Sequence, residues 1–340
     1  MEWKIQYWGL VPYQEAMERM DEAVLRASQT KEAFVFGLEH PLVYTAGLKT
    51  IAEHILAEQL EVLPARRGGS VTLHNPGQLV VYFAIPLEKT PGLATFVRYL
   101  EGSIIETLWE YGVLAFQRKA MSGVFTREGK IAFVGLGLKK NVIYHGIAVN
   151  IANSLEDYQV IRSCGLSLPV NRLVDVCNEK VSLEEFFRRF VSHLRERFRP
   201  IRGAPLRDYL EGKIKQLTIP QGVFRLGQLY FNERRYHYAH EAWELAWHIY
   251  RRQGNNRDYL RFLHGLIQLA MAYDKLEGHN NPTGFHSLYK KAREKLNHNP
   301  YTSLYLCDSH ELFWDSLSLT RDPSFRQKTI PFLSCRLDLT

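Results

Sequence analysis

Four cysteines in 340 residues are too few and too scattered for a disulfide framework. Cys164, Cys177, Cys307 and Cys335 form no Cys-x-x-Cys pair, which excludes the usual redox and zinc-ribbon spacings and points to free thiols in a reducing cytoplasm. No apolar run is long enough to span a bilayer, so no membrane partner is expected. The opening Met1-Glu2-Trp3-Lys4 lacks an apolar signal core, and a secretory leader is not expected. Internal repeats and low-complexity tracts are missing, as are helix-turn-helix, zinc-finger and RNA-binding signatures. The net charge of +7 therefore reads as general solubility or as steering of an acidic protein partner, and no nucleic acid is expected. Its densest run, Arg188-Arg189 through Arg195, Arg197, Arg199 and Arg202, falls on a predicted helix and its exit, where a solvated face accounts for it.

What is present is a globular composition, 46% hydrophobic and 23% charged, over a length that suits two domains with their own cores. The first two hundred residues mix strands and helices. Tyr13, Ala16, Met17, Met20, Ala23, Val24 and Ala27 recur at helical spacing over 12–28. Buried strands are predicted at 32–38 and at 79–85, the second stopped by Pro86. A helix at 92–112 ends at Gly112, and strands follow at 113–117, 122–126, 131–138 and 142–150. A helix at 182–197 turns Phe186, Phe187, Phe190, Val191 and Leu194 inward. Pro200, Gly203, Pro205 and Pro220 then mark a connection. Beyond it only helical patterns remain, at 221–231, 237–252, 258–276 and 284–297, the last led in by Asn281-Pro282-Thr283. The predicted organisation is a mixed α+β domain at 1–200, a linker at 201–217, an all-α bundle at 218–310 and a tail at 311–340.

Three features of the first domain carry chemistry. The stretch from Arg66 to Gln78 is basic, glycine-rich and contains His74. Glycines let a ligand approach the backbone, and free N–H groups stabilise an oxyanion. Lys130 follows Gly129 at the start of an apolar strand, and Cys164 sits in Ser163-Cys164-Gly165. A thiol becomes a nucleophile as its thiolate, which a nearby cation favours. Each feature also has a plainer reading: Gly68-Gly69 as a hairpin turn, Lys130 as a strand-end surface lysine, Cys164 as a small core residue. His74 and His145 read equally as core histidines bonded to backbone.

In order along the chain, these features lie within six blocks: Leu10-Val11-Pro12-Tyr13-Gln14-Glu15-Ala16; Glu39-His40-Pro41-Leu42-Val43-Tyr44-Thr45-Ala46-Gly47; the Arg-Gly-Gly loop with His74 and Pro76-Gly77-Gln78; Gly129-Lys130-Ile131-Ala132; Tyr144-His145-Gly146-Ile147-Ala148-Val149-Asn150; and Ser163-Cys164-Gly165. In these blocks the first two hundred residues resemble the lipoyl(octanoyl) transferases, which move an octanoyl group from acyl carrier protein to lysines of lipoyl domains in protein lipoylation. The resemblance implies the mixed-sheet fold of the biotin and lipoate protein ligases. It makes Cys164 the acyl-thioester nucleophile and Lys130 the group that lowers its pKa. It lines the acyl pocket with Arg67, Gly68, Gly69, Ser70, Val71, Thr72, Leu73 and His74, with Phe133, Val134 and Gly135, and with Gly146, Ile147 and Ala148, and it puts His74 and His145 at the mouth. No ATP, metal or other cofactor is implied for catalysis. The implied partners, octanoyl-acyl carrier protein and lipoyl-domain proteins, are typically acidic in their families, which suits the basic balance. Four places depart from the family pattern: Leu48 for Arg, Asn75 for the first Gly of His-Gly-Pro-Gly, Ser163 for Pro, and Asn171-Arg172-Leu173 for Thr-Ser-Leu. Asn is expected to take a left-handed turn at 75. The rival readings are an ATP-dependent ligase-like enzyme that does not need Cys164, and an inactive carrier-binding module.

In the helical part, His237, His240, Glu241, Glu244 and His248 fall on one face of a single helix, opposite Ala239, Ala242, Ala246 and Ile249. A solvated face explains them, but His and carboxylates at this spacing also suit a metal in a helical bundle. His237, His240, Glu241 and Glu244 are the candidate ligands, with His264 and Gln268 on the next helix able to complete a site. The segment also resembles a small helical family of unknown function through Phe231-Asn232, Tyr236 to Glu244, Gly265 to Ala270, Asn281 and Gly284.

Overall fold

The computed structural model describes residues 2–302 apart from 119–120, 163–168, 178, 200–205, 207–208, 211, 214–221, 253–255, 298 and 300. The chain divides into two compact units, Met1–Arg199 and Pro200–Thr340. The segment read as a linker, at 201–217, lies mostly outside the described residues, and the tail at 311–340 wholly so.

Among the described residues the first unit has ten strands and four α-helices: β1 (Trp3–Leu10), α1 (Tyr13–Thr30), β2 (Ala33–Glu39), β3 (Val43–Ala46), β4 (Val62–Pro64), β5 (Thr72–His74), β6 (Gln78–Pro86), α2 (Leu93–Glu110), β7 (Phe116–Arg118), β8 (Met121–Phe125), β9 (Lys130–Lys139), β10 (Val142–Asn150), α3 (Leu173–Val176) and α4 (Leu183–Arg197). Seven strands form one sheet in the order β1-β2-β6-β10-β9-β8-β7, with only the β1–β2 pair parallel. Three short strands form a second sheet, β4-β3-β5.

The central strands β6 and β10 are buried along their whole length. Side chains alternate between the two faces of a strand, so a strand covered on both sides is apolar at nearly every position, and the polar exceptions here are Gln78, His145 and Asn150. On one face Ala16, Met20, Ala23, Val24 and Ala27 of α1 pack on Phe34, Phe36, Val80, Tyr82, Ala84 and Tyr144. On the other face α2 and α4 cover the sheet: Phe83 meets Phe96 edge-on, ring centroids 5.7 Å apart. The Phe187 ring fills the space over Gly37, where an added Cβ would stand 2.7 Å from it. Phe186, Phe187 and Phe190 of α4 are all buried, each contributing roughly 1.5–3 kcal/mol. Ser182 caps that helix by accepting from the Glu185 N–H at 3.4 Å. The strand expected at 113–117 forms later, at Phe116–Arg118, because the chain before it is tied back to α2: the Val113 N–H donates to the Leu108 carbonyl at 3.0 Å and Trp109 Nε1 donates to the Ala115 carbonyl at 3.2 Å.

The second unit is a helical bundle: α5 (Gly222–Asn232), α6 (Tyr236–Arg252), α7 (Arg257–Tyr273) and α8 (Pro282–Leu296). Fully buried Trp243 anchors it, donating Nε1–H to the Phe224 carbonyl at 3.1 Å. The Trp243 indole packs so close to Gly227 that a Cβ there would meet it at 2.4 Å. Asn281 caps α8 by accepting from the Gly284 N–H at 2.8 Å, with Pro282 at the first turn. Among the described residues no helix is long and apolar enough to cross a membrane.

Candidate active site

The Arg66–Ser70 loop lies across β9, and glycines on both sides make that approach feasible. A Cβ on Gly137 would stand 2.5 Å from the Arg66 carbonyl oxygen, and one on Gly135 would stand 2.9 Å from Arg67 Cδ. The Gly68 N–H donates to the Leu136 carbonyl at 2.8 Å, tying loop to strand. Buried Arg67 holds the loop's shape: its guanidinium donates to the carbonyls of Ser70 (2.9 Å) and Thr45 (2.8 Å) and to Thr45 Oγ1 (2.8 Å).

Beside this loop is a cleft with about 470 Å³ of empty space, its open mouth included. Of the residues singled out from sequence, Arg67, Gly69, Thr72, His74, Phe133, Val134, Gly135, His145, Gly146, Ile147 and Ala148 line it. Gly68, Ser70, Val71 and Leu73 do not. Strand alternation explains two of these: Thr72 and His74 line the cleft, while Val71 and Leu73 turn away into a small core with Phe133, Tyr158 and Ile161. Ser70 is drawn off by a hydrogen bond between its hydroxyl and His54 Nδ1. Sequence reasoning missed Tyr13, Val80 and Tyr82 as lining residues. The signal for the last two was their i, i+2 spacing on β6.

The cleft is largely apolar, with Arg67 as a charged lining residue and neutral imidazoles and hydroxyls around it. His40 donates Nδ1–H to the Val11 carbonyl (2.6 Å), and its Nε2 accepts from the Tyr82 hydroxyl (2.9 Å). His74 donates Nδ1–H to Gln78 Oε1 (2.7 Å), and Gln78 Nε2 passes the chain to Asn150 Oδ1 (2.9 Å) and the Tyr158 hydroxyl (3.0 Å). Burial pushes His40 and His145 down to about 4, and the Arg67 charge adds to the effect at His145. His74 is held well below its ordinary range, by burial first and then by neighbouring His40. His145 has φ 60° in mid-strand, and the following Gly146 passes so close to β6 that a Cβ there would stand 1.8 Å from the Val81 carbonyl oxygen.

Lys130 is not the exposed strand-end lysine of the plainer reading. It is 4% exposed, with Nζ 4.8 Å from the centroid of Phe133 and 5.5 Å from that of Phe125. Phe133 is thus the wall shared by the ammonium and the cleft. Cys164, with Ser163 and Gly165, lies outside the described residues. Both flanks of that segment are tied down. The Arg162 N–H donates to the His54 carbonyl (2.8 Å), and on the far side the Lys130 N–H donates to the Pro169 carbonyl (2.9 Å) while the Asn171 N–H donates to Lys130 O (3.1 Å).

The departures from the family pattern are built into this frame. The left-handed residue of the His74–Gln78 turn is Gly77 (φ 87°) rather than Asn75. Asn75 is buried instead and donates Nδ2–H to the Ser154 carbonyl (2.9 Å) and to Asp157 Oδ2 (2.8 Å). Arg172 pairs with Asp175 at 3.0 Å and donates to the Asn153 carbonyl at 2.9 Å, and Leu173 is buried at the start of α3. Leu48 is 75% exposed, with its N–H donating to the Arg67 carbonyl at 3.0 Å.

The lipoyl protein ligase A/B catalytic domain is the family whose model matches residues 12–195, more than half of the chain. The chain belongs to that family. Within it, this lipoyl protein ligase-type unit is 34% identical over 200 residues to an "Octanoyltransferase" of Neisseria meningitidis, covering 58% of this chain and 97% of the relative. It is 38% identical over 174 residues to an "Octanoyltransferase" of Coxiella burnetii, covering 50% and 71%. Among solved structures it is similar to the bi-partite lipoate protein ligase of Thermoplasma acidophilum, at 16% identity and TM-score 0.47, covering 58% of this chain and 83% of that one. A second model, of a "Domain of unknown function (DUF309)", matches residues 224–288.

In the helical unit His237, His240 and Glu241 each offer a ligand atom, all within 4.8 Å of one another. Glu244 is not in that group. His264 is not in that group either; its ring centroid lies 6.4 Å from that of Trp247, and Gln268 Oε1 accepts from Lys295 Nζ at 2.8 Å.

Proposed function

We propose that the first unit transfers an octanoyl group from acyl carrier protein to a lysine of a lipoyl domain through a thioester on Cys164. The Cys164 thiolate attacks the carbonyl carbon of the carrier's octanoyl thioester. One C–S bond forms as the carrier's breaks, and the departing carrier sulfur takes up a proton. The exchange is nearly isoenergetic, so the intermediate is inexpensive to form. The acceptor amine then attacks the Cys164 thioester, the C–N bond forms, the C–S bond breaks, and the amine's proton ends on the Cys164 sulfur. Amide formation drives the second half. The apolar cleft holds the acyl chain, and the Lys130 cation favours the thiolate.

The observation that carries this reading is the buried Lys130 ammonium against Phe133, the wall of an apolar cleft, in a chain related to octanoyltransferases. An ammonium is costly to bury, and such placements concentrate at functional sites. Intact mass after incubation with octanoyl-loaded carrier protein is the test. The expected result is one octanoyl adduct on the wild type, none on Cys164→Ser, and adduct formation slowed roughly a hundredfold or more in Lys130→Met. An adduct on Cys164→Ser, or ATP-dependent acylation by Cys164→Ala, sinks it in favour of a ligase mechanism.

A second reading concerns the helical unit, where the mutual reach of three ligand atoms supports it. We propose that His237, His240 and Glu241 bind a divalent transition metal of the zinc, iron or manganese class. Elemental analysis of the full chain, equilibrated with zinc or manganese and then desalted, should give stoichiometric metal that His240→Ala loses. Equal metal content in both proteins ends the idea.

A further inference from the structure

Glu101 of α2 is a buried carboxylate, 1% exposed, that the transfer chemistry above does not use. Its Oε1 accepts the Gly123 N–H of β8 at 2.8 Å; its Oε2 accepts from Gln117 Nε2 of β7 at 3.2 Å and pairs with Arg98 of its own helix at 3.3 Å. Gly123 is the link to the ammonium. It has φ 110°, and a Cβ there would stand 2.4 Å from the Ala132 carbonyl oxygen of β9, 2.7 Å from Lys130 Cε and 3.2 Å from Lys130 Nζ. The carboxylate therefore grips one side of a single residue whose other side is packed by the end of the Lys130 side chain. A side chain on Gly123 would run into both the Ala132 carbonyl and the end of the Lys130 side chain, and any loosening of the Gly123 N–H bond would let β8 and Lys130 shift together.

We infer that Glu101 is the positioning residue for the Lys130 ammonium, holding it in place through Gly123 and supplying its buried counter-charge. The inference rests on the octanoyl transfer proposed above. A hydrogen bond from an N–H to an ionised carboxylate is roughly twice as strong as to a neutral acceptor, so the grip depends on the charge of Glu101. The groups that face this carboxyl are Arg98, Gln117, the Gly123 N–H and Lys130. Burial raises it to about 7 against the lowering effects of Arg98, the Gly123 N–H and Lys130, so the grip switches within the working pH range.

The experiment is the single-turnover rate of adduct formation on the full chain with octanoyl-loaded carrier protein, from about pH 5.5 to about pH 8.5, with the carrier KM followed in parallel. The wild type should show an ionisation near 7 in this rate. Glu101→Gln should lose that ionisation and be slower at high pH by roughly tenfold to a hundredfold, the cost of a misplaced catalytic group, with carrier KM unchanged because Glu101 is buried. Glu101→Asp, which keeps the charge, should retain the ionisation and part of the rate. Arg98→Gln removes the strongest lowering influence and should move the ionisation upward; Arg98 is about one-third exposed, so this variant serves if Glu101→Gln does not fold. An ionisation near 7 that persists in Glu101→Gln, or one that stays put in Arg98→Gln, overturns the inference. Lys130→Met forming adduct at the wild-type rate instead overturns the acyl-transfer role of Lys130 on which the inference stands.

Discussion

Neutral imidazoles are what the cleft needs if it is to hold an alkyl chain, and burial keeps them so. His40 and His145 sit at about 4 in the folded protein against 6.5 in an unfolded chain. The unfolded state therefore binds more protons between these values, and stability rises with pH through that window. The contribution is fully present above 6.5 and is lost as pH falls through about 4, at up to roughly 3 kcal/mol for each group. Urea midpoints measured across that range should fall steadily toward acid, and His145→Gln should flatten part of the slope; a variant slope equal to that of the wild type would contradict the assignment. Little of this was legible in the sequence. A single His or Lys is ambiguous until its surroundings are known: taken alone, His74 and His145 read equally as core histidines and Lys130 as a surface lysine, and only the family resemblance set them at the acyl site. The ordered blocks identified the neighbourhood, while the burial of Lys130, the turn at Gly77 and the anchoring of Asn75 by Asp157 depend on contacts between residues far apart in the chain.

Helices α2 and α4 are locked by charge as well as by packing. His193 is enclosed by carboxylates, with Nε2 2.7 Å from Glu110 and Nδ1 3.0 Å from Glu106, and Arg197 pairs with Glu106 at 3.2 Å. This accounts for the grouping of Glu106, His193 and Glu196, which would otherwise read as metal ligands, and for much of the basic run. Arg188 and Arg189 are likewise paired with Glu184 and Glu185 along the helix. Burial lowers the affinity of His193 for its proton, but the hydrogen bonds it donates to Glu106 and Glu110 outweigh it and raise the imidazole to about 9. Here the folded state holds the proton more tightly. The stabilisation is fully present below 6.5 and is lost as pH rises through about 9, on the order of 2–3 kcal/mol. Melting temperature should drop between these values in the wild type and much less in His193→Gln. At this scale the sequence was informative where an element has a strong period. The amphipathic helices and fully buried strands announced themselves, whereas β1, a partly exposed edge strand, and the three- and four-residue strands β3, β4 and β5 carry too few residues or too mixed a pattern to stand out.

Over the whole molecule, a net charge of +7 meets substrates that are expected to be acidic proteins. Charge of this kind acts on encounter more than on chemistry, and it is screened over a Debye length of about 8 Å at physiological ionic strength. On the octanoyl-transfer proposal the acyl chain, by contrast, sits in a largely apolar cleft whose lining histidines, His74 and His145, are neutral, so its binding is expected to respond little to salt. The two contributions separate experimentally. Raising salt from about 0.05 M to about 0.5 M should raise the KM for octanoyl-loaded carrier protein severalfold and leave the rate at saturation unchanged. A small uncharged octanoyl thioester, which reaches the same cleft without a protein surface, should show no such salt dependence in its KM. If both substrates respond equally, salt is acting on the cleft or on the fold, and docking by charge is not the role of the basic surface. If neither responds, the excess of Lys and Arg serves solubility alone, and recognition of the carrier must come from shape and apolar contact around the cleft mouth.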